Sequence, residues 1–302
     1  MGHEETVYEA LANAHEEGHW AFGTGFDDPL AGVDTTVPDG VDHADLGAYC
    51  LMLGDDALVL AQRLTQWITN APELEEEVAF GNIALDLLGQ ARLLLARAGS
   101  VDVLGRSREH ATASIPDEDA LAYFRDPDEF RSTALVEAPN GDFGQTIVRL
   151  LVAATVRLAV LARLRGSRDP VLAAIAAKGV NELTYHRDHA ARWVLRLGDG
   201  TDESHRRAQA GVDAVWPLLA DVFSPTDVER RLAAAGVAVD PAEVRAEVRD
   251  VLTTVLERAT LRVPEWPADA PPRGRAGQHG PELTELLGTL QGLAREHPAA
   301  TW

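Results

Sequence analysis

The chain has 302 residues, 46% of them apolar and 25% charged, which is the composition of a globular protein with a sizeable core. Asp and Glu number 48 against 27 Lys and Arg, a formal net charge of −21, so the surface repels phosphate backbones and anionic lipid heads and no nucleic-acid or membrane partner is expected. Cys50 is the only cysteine, which excludes an internal disulfide and any cysteine-built zinc or iron–sulfur site.

Residues 1–43 read as an N-terminal extension. Glu4 to Ala21 has helical character, and Gly23 to Asp42, rich in Gly, Pro and Asp, reads as loop. The opening MGHEETVYEA is acidic and has no apolar core of a secretory signal. The most apolar stretch, Leu150 to Leu164, contains Arg157 and Arg163 and is too short to span a bilayer. A cytoplasmic location is the expectation. His15 and His19 flank Glu16 in this extension and read as surface residues.

From residue 44 to 302 the pattern is that of one helical domain. Asp45 to Thr69 carries Leu46, Tyr49, Leu53, Leu60, Leu64 and Trp67 on helical steps. Asn70-Ala71-Pro72 breaks it, and Pro72 with Glu73, Glu75, Glu76 and Glu77 marks the start of a second helix running to about Ala98. The glutamates read as a solvated helix start. Each of these helices is about 40 Å long. A connection with turn signals at Pro116 and Pro127 follows. A third helix is predicted over Phe143 to Leu164 and a fourth over Val171 to Leu197. Shorter helices are predicted over Asp202–Phe223, Pro225–Ala235, Pro241–Leu261 and Pro281–Glu296, with no strand. Two long helix pairs joined by a longer connection give an all-α, ferritin-like four-helix bundle with additional C-terminal helices.

Such a bundle can hold two irons with a carboxylate from each of two helices and a Glu-x-x-His pair from each of the other two. The first helix offers Asp55 and Asp56, the alternative for both being an exposed or capping role beside Gly54. The second offers Asp86, at a spacing that suits an antiparallel partner, but its i+3 residue is Gly89, which has no ligand atom. The third helix has no acid and carries Arg149, which stays protonated and does not ligate iron. The fourth offers Glu182, with Tyr185 at i+3 and His186 and His189 further along its face. For the two histidines, hydrogen bonding within a core or interface outweighs metal binding. The expectation is a degenerate metal site at Asp56, Asp86, Gly89, Arg149, Glu182, Tyr185 and His186. Its centre would be an ionic core in which Arg149 pairs with Asp86, Glu182 or both, with no metal and no catalytic residue. The alternatives are an unusual di-iron site built from Asp56, Asp86, Glu182, His186 and His189, and a metal-free binding module. Cys50 reads as a small core residue, and Arg273 and Arg275 as parts of an exposed loop that could meet a phosphate.

Several blocks carry a resemblance. GDDALVLAQRLTQWITNAPELEEEVAFGNIALDLLGQAR (Gly54 to Arg92), LVEAPNGDFGQTIVR (Leu135 to Arg149), NELTYHRDHAARWVLRLGDGTDESHRR (Asn181 to Arg207), GQHGPELTELLGTLQ and HPAATW are similar to the C-subunit family of ring-1,2-phenylacetyl-CoA epoxidase, among the phenylacetic acid catabolic proteins. The resemblance covers about Leu51 to Trp302 and leaves out residues 1–43. It implies membership of a bacterial multicomponent monooxygenase that epoxidises the ring of phenylacetyl-CoA with dioxygen and electrons from NADPH. It further implies a hetero-oligomer in which a ferritin-like A subunit holds the di-iron centre. The C subunit would pair with A as a structural partner without a working metal site, and a small B subunit and a flavin and iron–sulfur reductase complete the system.

Overall fold

The computed structural model describes residues 30–101 and 115–300. The predicted helix at Glu4 to Ala21 and the residues His15 and His19 lie outside them. The regular elements of the described residues are all helices, with no strand, in an all-α ferritin-like arrangement.

Four long helices make the bundle: α1 (His43–Thr65), α2 (Leu74–Ser100), α5 (Phe143–Leu164) and α6 (Pro170–Gly198). Their starts are written locally. The carboxylates of Asp42, Asp142 and Asp169 accept from the amides of Asp45, Gln145 and Leu172, so each satisfies one orphan donor of a first turn. Between the two pairs lie the short α3 (Asp117–Tyr123), a 3₁₀ turn at Pro127–Glu129 and the single-turn α4 (Ala134–Glu137).

α1 packs along α2, α5 along α6, and α2 against α6. α5 is buried along most of its length because α6, α7 (Asp202–Val215) and α9 (Arg245–Arg258) all lean on it. Gly179 of α6 permits the close approach: a Cβ there would sit 2.6 Å from Leu161 Cδ1 of α5. One end of the bundle is closed by a ring cluster. Phe143 meets Trp67 and Trp193 edge-on with centroids 5.9 and 5.0 Å away, and Trp67 Nε1 donates to Thr146 Oγ1 at 2.9 Å.

The C-terminal part adds α8 (Asp227–Ala234), α9 and α10 (Pro281–Glu296), with a long irregular stretch before α10. The predicted Asp202–Phe223 helix ends at Val215, where Trp216–Leu219 tightens to 3₁₀ around Pro217. The predicted Pro241–Leu261 helix likewise begins as a 3₁₀ turn at Pro241–Val244 and ends at Arg258. Among the described helices α2 alone is long and apolar enough to cross a membrane, yet half of that apolar window is buried within the bundle.

Candidate functional site in the bundle centre

The middle of the bundle is occupied by a chain of hydrogen bonds. Arg157 of α5 donates from Nε to Gln90 Oε1 of α2 at 2.8 Å and from Nη1 to the Leu53 carbonyl of α1 at 2.9 Å. Gln90 Nε2 in turn donates to Glu182 Oε2 of α6 at 2.8 Å. One residue from each of the four helices is therefore tied together at this level. Among the described residues no carboxylate comes within ion-pair distance of Arg157. Burial pulls its pKa down to about 10, with Asp56 and Glu182 acting at longer range to hold the charge. Its Nη2 is buried without a hydrogen-bond partner, and Arg157 lines a cavity of about 60 Å³ together with Tyr49, Leu53, Asp56, Val156, Glu229 and Arg275. Glu182 is half-buried and lies 3.7 Å from Lys178. Burial raises its pKa against the Gln90 hydrogen bond, and Asp86 adds to the rise.

Asp86 and His186 sit at the α2–α6 seam. His186 is fully buried, and its Nε2 lies 3.0 Å from Asp86 Oδ2. Burial lowers the histidine pKa against the pull of Asp86, so the neutral ring donates from Nε2 and leaves Nδ1 without a partner. One turn on, His189 Nε2 lies 3.1 Å from Glu76 Oε2, and burial lowers its pKa too. Each of the two histidines thus lies against a carboxylate of α2. Glu76 departs from the expected solvated helix start: it is buried under His189, while Glu73 and Glu75 are exposed.

Arg149 is a correction. It is buried at 1% exposure but pairs with neither Asp86 nor Glu182. Its guanidinium donates to the Ala138 carbonyl and Asn140 Oδ1, pinning the loop that leads into α5. Burial, and then the nearby charge of Arg63, lower its pKa to about 9. The physical reason is axial level: Arg149 stands in the first turns of α5, and the bundle centre falls two turns later, at Arg157. Gly89 is a second correction. A Cβ there would meet nothing within 4 Å, so the position does not face the centre; its neighbour Gln90 does, at 3% exposure. Tyr185 is a third, being half exposed, with its ring against those of His186 and His189 on the outside of the seam.

Asp56 belongs to a different network. Its Oδ2 accepts from Arg275 Nη2 at 2.6 Å and its Oδ1 from the Thr133 amide at 2.9 Å. Arg275 also donates to the carbonyls of Met52 and Arg131. It is thus a largely buried strut holding the C-terminal segment to α1, and only Arg273 is exposed as the loop reading expected. Asp55 is fully buried and bidentate with Arg125, at 2.5 and 3.0 Å, which overturns an exposed or capping role. Cys50 is a buried core residue.

A di-iron group does not fit this centre. Of the expected acids, Asp56 is neutralised by Arg275 at 2.6 Å, Asp86 is hydrogen-bonded at the seam, and Glu182 is held by an amide and a lysine, while the middle is taken by a cation and an amide. Among the described residues the metal-sized grouping is instead a surface trio, Asp126, Asp128 and Glu129. Its Asp126 pairs with Arg295 and its Glu129 accepts from the Asp126 amide as a cap.

Arg157 and Gln90 are the central residues that spacing does not single out. The available signal is Arg157 itself, a charge inside the most apolar run of the chain, which only a buried acceptor set can accommodate.

Known proteins are similar to this sequence. The family described as phenylacetic acid catabolic protein matches residues 33–302. The chain is 40% identical over 257 residues to the C subunit of the 1,2-phenylacetyl-CoA epoxidase of Escherichia coli (strain K12), an alignment covering 85% of this chain and 99% of that protein.

Proposed function

This chain belongs to the phenylacetic acid catabolic protein family, and on that premise we propose that it is the structural, non-catalytic subunit of a multicomponent phenylacetyl-CoA 1,2-epoxidase in phenylacetate degradation. It shapes and supports a ferritin-like A subunit that carries the di-iron centre, in a cytoplasmic hetero-oligomer with a B subunit and a reductase. In that assembly NADPH, flavin and iron–sulfur centres belong to the reductase, dioxygen is consumed at the A subunit, and no cofactor is held by this chain.

The observation that supports the non-catalytic role is the Leu53–Arg157–Gln90–Glu182 chain across the bundle. A guanidinium fixed at the level of the acids raises the electrostatic cost of any cation there, and the amide beside it already uses the carboxylate of Glu182. What this chain's residues do is hold four helices in register, so that the outer faces keep a fixed shape for a partner.

The test is metal analysis of the chain purified alone and with the A subunit. Iron that follows the A subunit, with none on the isolated chain, is the expected result. About two irons per copy of the isolated chain, lost in Asp86→Ala and Glu182→Ala, would establish the alternative of an oxygenase subunit with its own metal site.

A further inference from the structure

We propose that the outer face of α2 is a docking surface for a helical subunit of different sequence, one whose facing helix carries an apolar stripe ending in Arg or Lys. The inference deepens the scaffold reading above and rests on it.

Among the described residues seven large apolar side chains are exposed, and four of them lie on α2: Leu74 (72%), Leu85 (66%), Val78 (56%) and Leu88 (45%). Their spacing of four, seven and three residues places them on one helix face. Gly81 falls between Val78 and Leu85 on the same stripe, and a Cβ added to it meets nothing within 4 Å, so no other described element covers the stripe at that point. Tyr185 of α6, 51% exposed, extends the patch across the seam. From Leu74 to Arg92 the face is ~27 Å long. With a helix width of ~10 Å it offers on the order of 270 Å² of apolar centre, the core that a stable interface of about 800 Å² per partner surrounds with a polar rim.

Charge selects the occupant. Glu73, Glu75 and Glu77 stand at the N-terminal end of the stripe, and among the described residues no cation pairs with them. At the other end Arg92 is already engaged by Glu118 at 3.3 Å. A second copy of this chain carries the same net charge of −21 and would set these glutamates against a like-charged molecule, and an anionic lipid surface would be repelled in the same way. A partner with basic residues opposite the three glutamates completes both the apolar centre and its rim.

The experiment co-expresses the tagged chain with the A subunit and measures co-elution and affinity for wild type, for Val78→Glu with Leu85→Glu, and for Leu293→Glu. Leu293 is an equally exposed apolar residue on α10, and melting curves verify that all three fold. The expected result is that the double variant loses co-elution, with Kd raised about 100-fold or more, while Leu293→Glu binds as wild type. Neutralising Glu73, Glu75 and Glu77 to Gln is expected to slow association about tenfold at low salt and to flatten its salt dependence. Equal binding by wild type and double variant overturns the docking face and leaves the scaffold reading standing. A wild-type chain that never binds the A subunit overturns both. A homodimer of the chain alone that the double variant dissolves, or uptake of wild type but not the double variant by anionic vesicles, assigns the face to another occupant and overturns the proposal.

Discussion

Arg157 Nε donates to Gln90 Oε1 across the bundle at 2.8 Å, and Gln90 passes its own amide hydrogen on to Glu182 at 2.8 Å. The pair links α5 to α2 and, through Glu182, to α6. The amide carries the interaction between a cation and an acid that never touch. A hydrogen-bonded relay of this kind is coupled, which makes it measurable.

Arg157→Met is expected to lower stability by about 1–3 kcal/mol, because it strips the Leu53 carbonyl and Gln90 Oε1 of their donor. Gln90→Met removes the same bond from the other side. In a double-mutant cycle by urea denaturation the combined loss should fall short of the sum by about 0.5 kcal/mol or more. Strict additivity would mean that the two residues do not act as a unit.

Arg149→Leu is expected to cost about 1–3 kcal/mol because the Ala138 carbonyl and Asn140 Oδ1 lose the donor they share. The damage should be local, seen as faster amide exchange at the start of α5 and not at Asp86 or Glu182. Asp86→Asn should neither worsen nor relieve it, since the two residues share no contact. Rescue of Arg149→Leu by Asp86→Asn would restore the cross-bundle ion pair that the geometry rejects.

Asp55 and Arg125 form a bidentate pair whose side chains are 0% and 3% exposed. Arg125 also stacks 4.1 Å from the centre of the Phe130 ring, and Asp55 Oδ2 takes the Arg131 amide at 2.7 Å. Arg125→Met leaves a buried carboxylate without its cation, and a loss of about 3–5 kcal/mol is expected. Replacing both partners by apolar residues should cost less than Arg125→Met alone. Thermal melts of the three variants decide the order.

Stability should respond to pH in opposite senses at two histidines. Burial alone would lower the His279 pKa, but the hydrogen bond and charge of Glu137 and the Phe130 carbonyl outweigh it, so the pKa stands above 6.5 in the fold. That contribution is complete below pH 6.5 and is lost as pH rises through the folded pKa. His186 is the reverse: burial holds its pKa below 6.5, so its contribution is complete above 6.5 and is lost as pH falls through the folded value. Between about pH 8 and about pH 5 the melting difference between wild type and His279→Gln should grow as pH falls, while that between wild type and His186→Gln should shrink. Parallel slopes would refute the assignment of one charged and one neutral ring.

Much of the fold was legible because helix limits are local. Phe143–Leu164 and Pro281–Glu296 match their predicted limits, since Asp142 before the one and Pro281 at the head of the other set the start within a few residues. The pairing of long helices around a longer connection followed from the same spacing. What periodicity cannot supply is the axial level at which one helix meets the next. Arg149 and Arg157 are both arginines in an apolar helix, two turns apart; only packed neighbours decide that one pins a loop and the other fills the centre.

The sequence by itself determined that this chain is a negatively charged helical bundle with no internal disulfide and no cysteine-built metal site, because composition, capping and hydrophobic period act within a few residues of chain. It also carried the family resemblance. Tertiary structure alone decided which carboxylate a buried arginine serves: Arg125 on Asp55, Arg275 on Asp56, Arg97 on Asp169, and Arg63, Arg149 and Arg157 on none directly. The reason is physical. A charge buried in low dielectric must find its partners wherever packing brings them, and for the three ion-paired arginines those partners stand 70, 219 and 72 positions away in the chain.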